Sequence, residues 1–242
     1  MTGNLNPRDR LIVALDVPTV DDARDLVRTL GDEVTFYKVG LELILSGTLE
    51  GATGLGLVSE LIEKDKQVFL DAKLLDISNT VERSVERVAE LGATFLTIHG
   101  TDLKTMKAAV AGRGKSNLKL LAVTVLTNLT QEDLTEQGIS KTPAEMVLHR
   151  AGLAKEAGFD GVISSGQEAA AIRAATGENF LIVTPGIRLP GSDAGDQQRI
   201  MTPERAIASG ASYIVVGRPI NQASDPKLAA ATFVERIAKA TA

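Results

Sequence analysis

One unit recurs along this chain: a short apolar run, a helix-length amphipathic segment, and a glycine turn leading into the next run. Eight runs read as strands: Leu11–Leu15, Thr35–Val39, Gln67–Leu70, Thr94–Ile98, Lys119–Thr124, Gly161–Ile163, Leu181–Val183 and Tyr213–Val216. They are continuously apolar rather than alternating, the pattern of strands covered on both faces. Asn79–Leu91 shows the helical half most clearly. Val81, Val85, Val88 and Leu91 form its apolar stripe, and Glu82, Arg83, Glu86, Arg87 and Glu90 fill the wet side. Asn79 is placed as the N-cap, with Glu82 three residues on. Leu91-Gly92-Ala93, Ala157-Gly158-Phe159 and Ser209-Gly210-Ala211 each put a glycine where a helix would end in a left-handed residue. Eight strands alternating with helices, with no Pro/Ser-rich linker, predict an α/β fold: a single (β/α)₈ TIM barrel over residues 1–242. The structural rival is a doubly wound open sheet. The strand count and the lack of a Gly-x-Gly-x-x-Gly turn after the first run weigh against it.

Composition narrows the chemistry. A net charge of −5 and 3% aromatic residues argue against a nucleic-acid surface, so an anionic ligand must be met by a local cationic patch. The absence of Cys removes disulfides, thiolate nucleophiles and Cys-based metal sites. Met1 to Arg10 is polar, without the apolar core of a signal peptide, and no apolar run approaches the ~20 residues of a membrane span. A soluble, cytoplasmic protein with no membrane partner is expected.

In a barrel the active site lies at the carboxyl ends of the strands. Those ends carry Asp16 after the first run, Lys38 near the end of the second, and Asp71 and Lys73 at the third. On an extended segment residues two apart share a face, so Asp71 and Lys73 are expected to point the same way, with Asp76 just past the strand. Ionised groups buried unpaired cost several kcal/mol each, so such a cluster needs partners or a job. A salt-bridge network plugging the barrel mouth is the structural alternative. His99 follows the fourth run and Thr124–Thr127 the fifth. His149 falls in a helical segment. With two histidines and no adjacent nucleophile, neither a Ser-His-Asp site nor a His-based zinc site is supported.

Val216-Gly217-Arg218-Pro219 has the makings of an anion site after strand eight: glycine for close approach, arginine for a fixed positive fork, proline for a first helical position. Thr184–Thr202 has neither helical nor strand period and is expected to be a lid, with Arg188 and Gln197 able to fold over a phosphate.

Six segments, in order between about residues 10 and 220, resemble the orotidine 5′-phosphate decarboxylase family. They are Ala14-Leu15-Asp16, Tyr37-Lys38-Val39-Gly40, the Asp71–Thr80 decapeptide, Thr184-Pro185-Gly186-Ile187-Arg188, Gly195-Asp196-Gln197 and Val216-Gly217-Arg218-Pro219. The resemblance implies decarboxylation of orotidine 5′-phosphate to UMP without cofactor or metal. It also implies a homodimer with shared sites, in which Asp76, Ile77 and Thr80 enter the neighbour's site. Lys73 would protonate C6 beside Asp71, and Asp16 and Lys38 would hold the ribose hydroxyls and orient Lys73. Thr127 would line the pyrimidine pocket, Gln197 would bridge base and phosphate, and Arg188, Arg218 and the Gly217 amide would hold the phosphate. The alternatives are a Mg²⁺-dependent sugar-phosphate decarboxylase or aldolase of the same superfamily, and a non-catalytic nucleotide-phosphate-binding barrel. The metal-dependent relatives carry an acid where this chain has Lys38.

Overall fold

A computed structural model describes residues 5–47, 53–190 and 201–241. Eight parallel strands close into a barrel in sequence order. They are β1 (Leu11–Ala14), β2 (Phe36–Gly40), β3 (Gln67–Leu74), β4 (Phe95–His99), β5 (Lys119–Val123), β6 (Gly161–Ile163), β7 (Leu181–Thr184) and β8 (Tyr213–Val216). The pairing of Leu11 with Ile214 and of Val13 with Val216 closes the cylinder between β1 and β8. The open-sheet rival is thereby removed.

Continuous apolar runs arise because each strand is buried twice. In β1, Ile12 and Ala14 belong to the packed interior of the cylinder, whereas Leu11 and Val13 pack outward under the helices. The bottom of the interior is filled by rings. Phe36, Phe95 and Tyr213 each open their strands, and Phe36–Phe95 and Phe95–Tyr213 centroids lie 5.0 and 5.2 Å apart. Phe69 joins at 6.0 Å from Phe95. Half of the eight aromatic side chains therefore plug the barrel floor, in the offset and edge-on geometries that rings prefer.

Most strand ends fall within one residue of expectation, but β3 does not. Expected to stop at Leu70, it runs on to Leu74 and carries Asp71 and Lys73 within it. Its register against β4 breaks on the way: Leu70 pairs with Leu96, and the next pair is Leu74 with Ile98. Lys73 sits at φ 46°, a left-handed conformation uncommon outside glycine. Charges inside a barrel strand read as a loop in sequence, because the polar mouth and a loop have the same composition.

The helix after β3 spans Ser78–Leu91, and its cap is Ile77 rather than Asn79. The Asp76 carboxylate accepts the Ile77 N–H at 2.7 Å, turning the chain into the helix earlier than the Asn79 cap required. Val81 and Val85 are buried, and Val88 and Leu91 pack at the edge of the core, as the stripe predicts. The three turn glycines have positive φ: 87° at Gly92, 89° at Gly158 and 100° at Gly210. In the expected lid, Ile187 bridges Met201, and the Arg188 N–H donates to the Met201 carbonyl at 3.0 Å. Gln197, with Gly195 and Asp196, lies outside the described residues. No helix among the described residues is long and apolar enough to cross a membrane.

Candidate active site

Strand alternation builds the site directly above the ring layer. Lys38, Asp71 and Thr97 lie two residues beyond Phe36, Phe69 and Phe95, so each faces the same interior one layer nearer the carboxyl ends. Asp16 stands two beyond Ala14, just past β1. The barrel interior thus changes from aromatic to ionic within one side-chain layer.

These groups form a continuous chain of alternating charge. Lys38 Nζ lies 2.9 Å from Asp16 Oδ1 and 3.6 Å from Asp71 Oδ2. Lys73 Nζ lies 2.7 Å from the same Asp71 oxygen. The middle of the chain is buried, with side-chain exposures of 11% for Lys38 and 12% for Asp71. Its two ends are open, at 51% for Asp16 and 29% for Lys73. A ligand at the mouth therefore meets a carboxylate at one end and an ammonium at the other. Asp71 and Lys73 do meet, but through the register break and the left-handed Lys73 backbone rather than the simple extended geometry expected.

Burial alone would push the Asp71 carboxyl up. The Lys38 and Lys73 ammoniums, with hydrogen bonds from Lys73 and Thr97, more than offset it and hold its pKa below the ordinary range. Burial likewise works against the Lys38 cation, yet Asp71 and Asp16 carry its pKa above the usual lysine value. The signs follow. A depressed Asp71 contributes stability that is present above its unfolded pKa of about 3.9 and is lost as pH falls through the folded value. A raised Lys38 contributes stability that is present below about 10.4 and is lost as pH climbs through the folded value. Replacing Lys38 by Met leaves Asp71 buried with one cation fewer, so its pKa must climb. Lys38→Met is expected to be less stable than wild type by about 1–3 kcal/mol near neutrality, short of the cost of a wholly unpaired buried acid because Lys73 and Thr97 still reach Asp71. That deficit should shrink as pH is lowered from 7 toward 4, where Asp71 takes up its proton. Denaturant unfolding of both proteins across that range checks it; a deficit independent of pH would mean the pair is not the cause.

Two small groups to which the sequence assigns no role hold this arrangement. A Cβ on Gly40 would lie 2.8 Å from Lys38 Nζ, so a larger residue would displace the ammonium from its place between the acids. The Asn221 amide donates to the Ala14 carbonyl at 2.8 Å, tying the short helix Arg218–Asn221 to the end of β1. Gly217 consequently lies against Asp16: a Cβ there would be 3.4 Å from Asp16 Oδ2. Asn221 carried no signal beyond its place after Gly-Arg-Pro.

Of the other expected residues, Arg188 is buried and its Nη1 donates to the Ile187 carbonyl at 2.9 Å. Arg218 is exposed and opens its helix directly after Gly217. Thr127 is half-buried beyond β5, and the neighbouring Thr124 hydroxyl donates to the Ile163 carbonyl at 2.8 Å. Asp76, Ile77 and Thr80 are all exposed, and Asp76 makes no ion pair with the Lys38–Lys73 chain. His99 ends β4 half-buried, and its pKa is lowered by burial and by the Arg150 and Lys73 cations. It is therefore a neutral imidazole at pH 7. Arg150 itself donates to the Thr124 carbonyl. His149 lies in a helix, as expected, and is exposed there.

A closed parallel barrel whose mouth joins carboxylates and ammoniums in one chain, beside a Gly-Arg turn, has the make-up of an enzyme acting on a small anion. Comparison with known proteins narrows that class. Residues 9–233 match the orotidine 5′-phosphate decarboxylase / HUMPS family. An orotidine 5′-phosphate decarboxylase of Bradyrhizobium diazoefficiens is 52% identical, over 97% of this chain and 96% of its own length. One from Rhodopseudomonas palustris is 53% identical over 96% of both chains. The crystal structure of orotidine 5′-phosphate decarboxylase from Lactobacillus acidophilus superposes with a TM-score of 0.81 at 38% identity, covering 95% of this chain and 99% of that one. The chain belongs to the orotidine 5′-phosphate decarboxylase / HUMPS family.

Proposed function

We propose that this protein decarboxylates orotidine 5′-phosphate to UMP, the last step of de novo pyrimidine synthesis, with fixed charge in place of a cofactor. The observation that carries the reading is the Asp16–Lys38–Asp71–Lys73 chain, with half-buried Lys73 as its open cationic end. In the reaction the C6–carboxylate bond breaks heterolytically, CO₂ departs, and the electron pair stays in an sp² orbital on C6. No adjacent carbonyl can absorb that pair. Lys73 stabilises the developing carbanion and transfers a proton from Nζ to C6, and solvent then restores the ammonium. Asp71 faces the departing carboxylate, disfavouring it more in the ground state than in the transition state.

Family likeness supports the substrate, and one feature of the chain favours the metal-free branch. Lys38 Nζ occupies the space between Asp16 and Asp71, so a cation already stands where a metal between these acids would have to bind. An ammonium there repels Mg²⁺. For the rest of the site, we assign Thr127 to the pyrimidine pocket, and Arg188, Gln197, Gly217 and Arg218 to the base–phosphate end. The proximity of Gly217 to Asp16 suits a ribose 5′-phosphate, whose hydroxyls and phosphate are a few bonds apart. The exposure of Leu75 at 61% and Ile77 at 71%, beside exposed Asp76 and Thr80, suits a second copy of the chain docking here. In that homodimer Asp76, Ile77 and Thr80 complete the neighbouring site.

Following the ultraviolet absorbance of orotidine 5′-phosphate with purified protein and no added metal tests the reading. Conversion that persists in EDTA is expected. Binding without conversion would identify a nucleotide-binding barrel, and an absolute Mg²⁺ requirement would identify a metal-dependent member of the superfamily.

A further inference from the structure

Thr97 was one apolar-run residue among many in the sequence, yet in the structure it joins the two groups on which the chemistry turns. Its side chain is fully buried. The hydroxyl donates to Asp71 Oδ1 at 2.8 Å and accepts the backbone N–H of Lys73 at 3.0 Å. An ionised carboxylate can only accept and an amide N–H can only donate, so the hydroxyl has a single workable orientation. Asp71 is thereby divided: Oδ1 belongs to Thr97, and Oδ2 faces Lys73 and Lys38.

The register break explains why a side chain is needed. Between the Leu70–Leu96 and Leu74–Ile98 pairs, three residues of β3 stand opposite Thr97 alone. The ladder of backbone bonds cannot continue there, and the Lys73 N–H loses its β4 carbonyl. Thr97 replaces that carbonyl with its hydroxyl. The same bond steadies Lys73 at φ 46°, a conformation that costs a β-carbon residue about 1–3 kcal/mol and persists only where its surroundings enforce it. Relaxation to extended backbone would leave the two side chains on one face but would undo the bulge that re-aims Lys73, and so shift Nζ from its place 2.7 Å from Asp71 Oδ2.

We infer that Thr97 is a positioning residue for the proposed reaction: one hydroxyl that sets both the Asp71 carboxylate and the Lys73 backbone in the geometry from which Lys73 reaches C6. Thr97 does not touch the substrate and adds no charge. Its effect falls on the chemical step, because ångström-scale misplacement of a reacting group costs about a hundredfold in rate. The inference rests on the decarboxylase reading, so wild-type turnover of orotidine 5′-phosphate is measured alongside; failure of wild type to react would remove that reading, not the role of Thr97 within it.

Thr97→Val keeps the shape and β-branching but removes the hydroxyl, and Thr97→Ser keeps the hydroxyl. Valine is expected to lower kcat ten- to hundredfold with KM changed less than threefold, and serine to recover most of the loss. The acid limb of the valine variant's kcat profile should move to higher pH, since Asp71 loses a bond to its charged form. If valine does not fold, Thr97→Ala read against Thr97→Ser makes the same comparison. A purely structural role would lower the melting temperature and leave kcat per folded molecule, and its pH profile, unchanged. That result, or a serine variant as impaired as valine, would overturn the inference.

Discussion

Lys73→Ala is expected to yield a folded protein that binds UMP with near wild-type affinity and turns over orotidine 5′-phosphate at least about a thousandfold more slowly. The size follows from one fixed charge: a pair at ~4 Å is worth about 4 kcal/mol at an effective dielectric near 20, and each ~1.36 kcal/mol is a tenfold change in rate. Loss of the proton donor adds to this, general acid catalysis by a placed side chain being worth about 10²–10⁴. Folding should survive, because Lys73 is only half-buried, at the open end of the charge chain. Without it, Asp71 keeps Lys38 at 3.6 Å and the Thr97 hydroxyl at 2.8 Å, so no buried carboxylate is left without a partner. Lys38→Met differs in that it removes the buried cation shared by two acids, the larger electrostatic support of Asp71, so its effect on stability should exceed that of Lys73→Ala even though Lys73 and Thr97 still reach Asp71. Single-turnover kinetics, equilibrium binding of UMP and a thermal melt on the same preparation separate these readings. Near-normal turnover would remove Lys73 from the mechanism; failure to bind UMP would make it a ground-state binding residue.

The legibility of this chain follows the range of each interaction. Strands and their order were readable because burial on both faces leaves an unbroken mark, as in Leu11–Ala14, where alternate residues face the barrel interior and the helices. Asp16, Lys38, Asp71 and Lys73 stood out as charges at ends of apolar runs, and the closed barrel brings them together. What escaped notice was polar but ordinary. Thr97 is a β-branched residue in a strand, which propensity alone accounts for. Its distinguishing mark is its place two residues beyond Phe95, and that counts only once Phe36 and Phe69 are known to be followed at the same spacing by Lys38 and Asp71. Gly40 read as part of a motif without a reason, which the nearness of Lys38 Nζ supplies. The cap of Ser78–Leu91 was misplaced because Asn79 is a good cap by type, whereas the Asp76 carboxylate had already turned the chain at Ile77. The left-handed Lys73 had no sequence signal, since it follows from β3 and β4 falling out of step.

Arg218→Ala is expected to lower kcat/KM for orotidine 5′-phosphate by several orders of magnitude, although Arg218 lies after β8 and Lys73 in β3. A very slow uncatalysed reaction needs a barrier reduction of roughly 20 kcal/mol, and one lysine charge supplies about 4. The remainder must come from parts of the substrate that do not react, whose binding energy is realised when the ring is held against Lys73 and Asp71. The phosphate is the strongest handle available, because a guanidinium can meet it with two charge-assisted hydrogen bonds. Position supports the transmission. Asn221 fastens the Arg218–Asn221 helix to the end of β1, and Gly217 lies against Asp16, so a phosphate held there fixes the ribose over the open end of the charge chain. Orotidine without its phosphate provides the control. Wild type and Arg218→Ala should turn it over equally slowly, because the variant has then lost only what the truncated substrate never used. A loss below tenfold on the phosphorylated substrate would place the phosphate elsewhere. An equal loss on both substrates would mean that Arg218 shapes the barrel mouth rather than gripping the ligand.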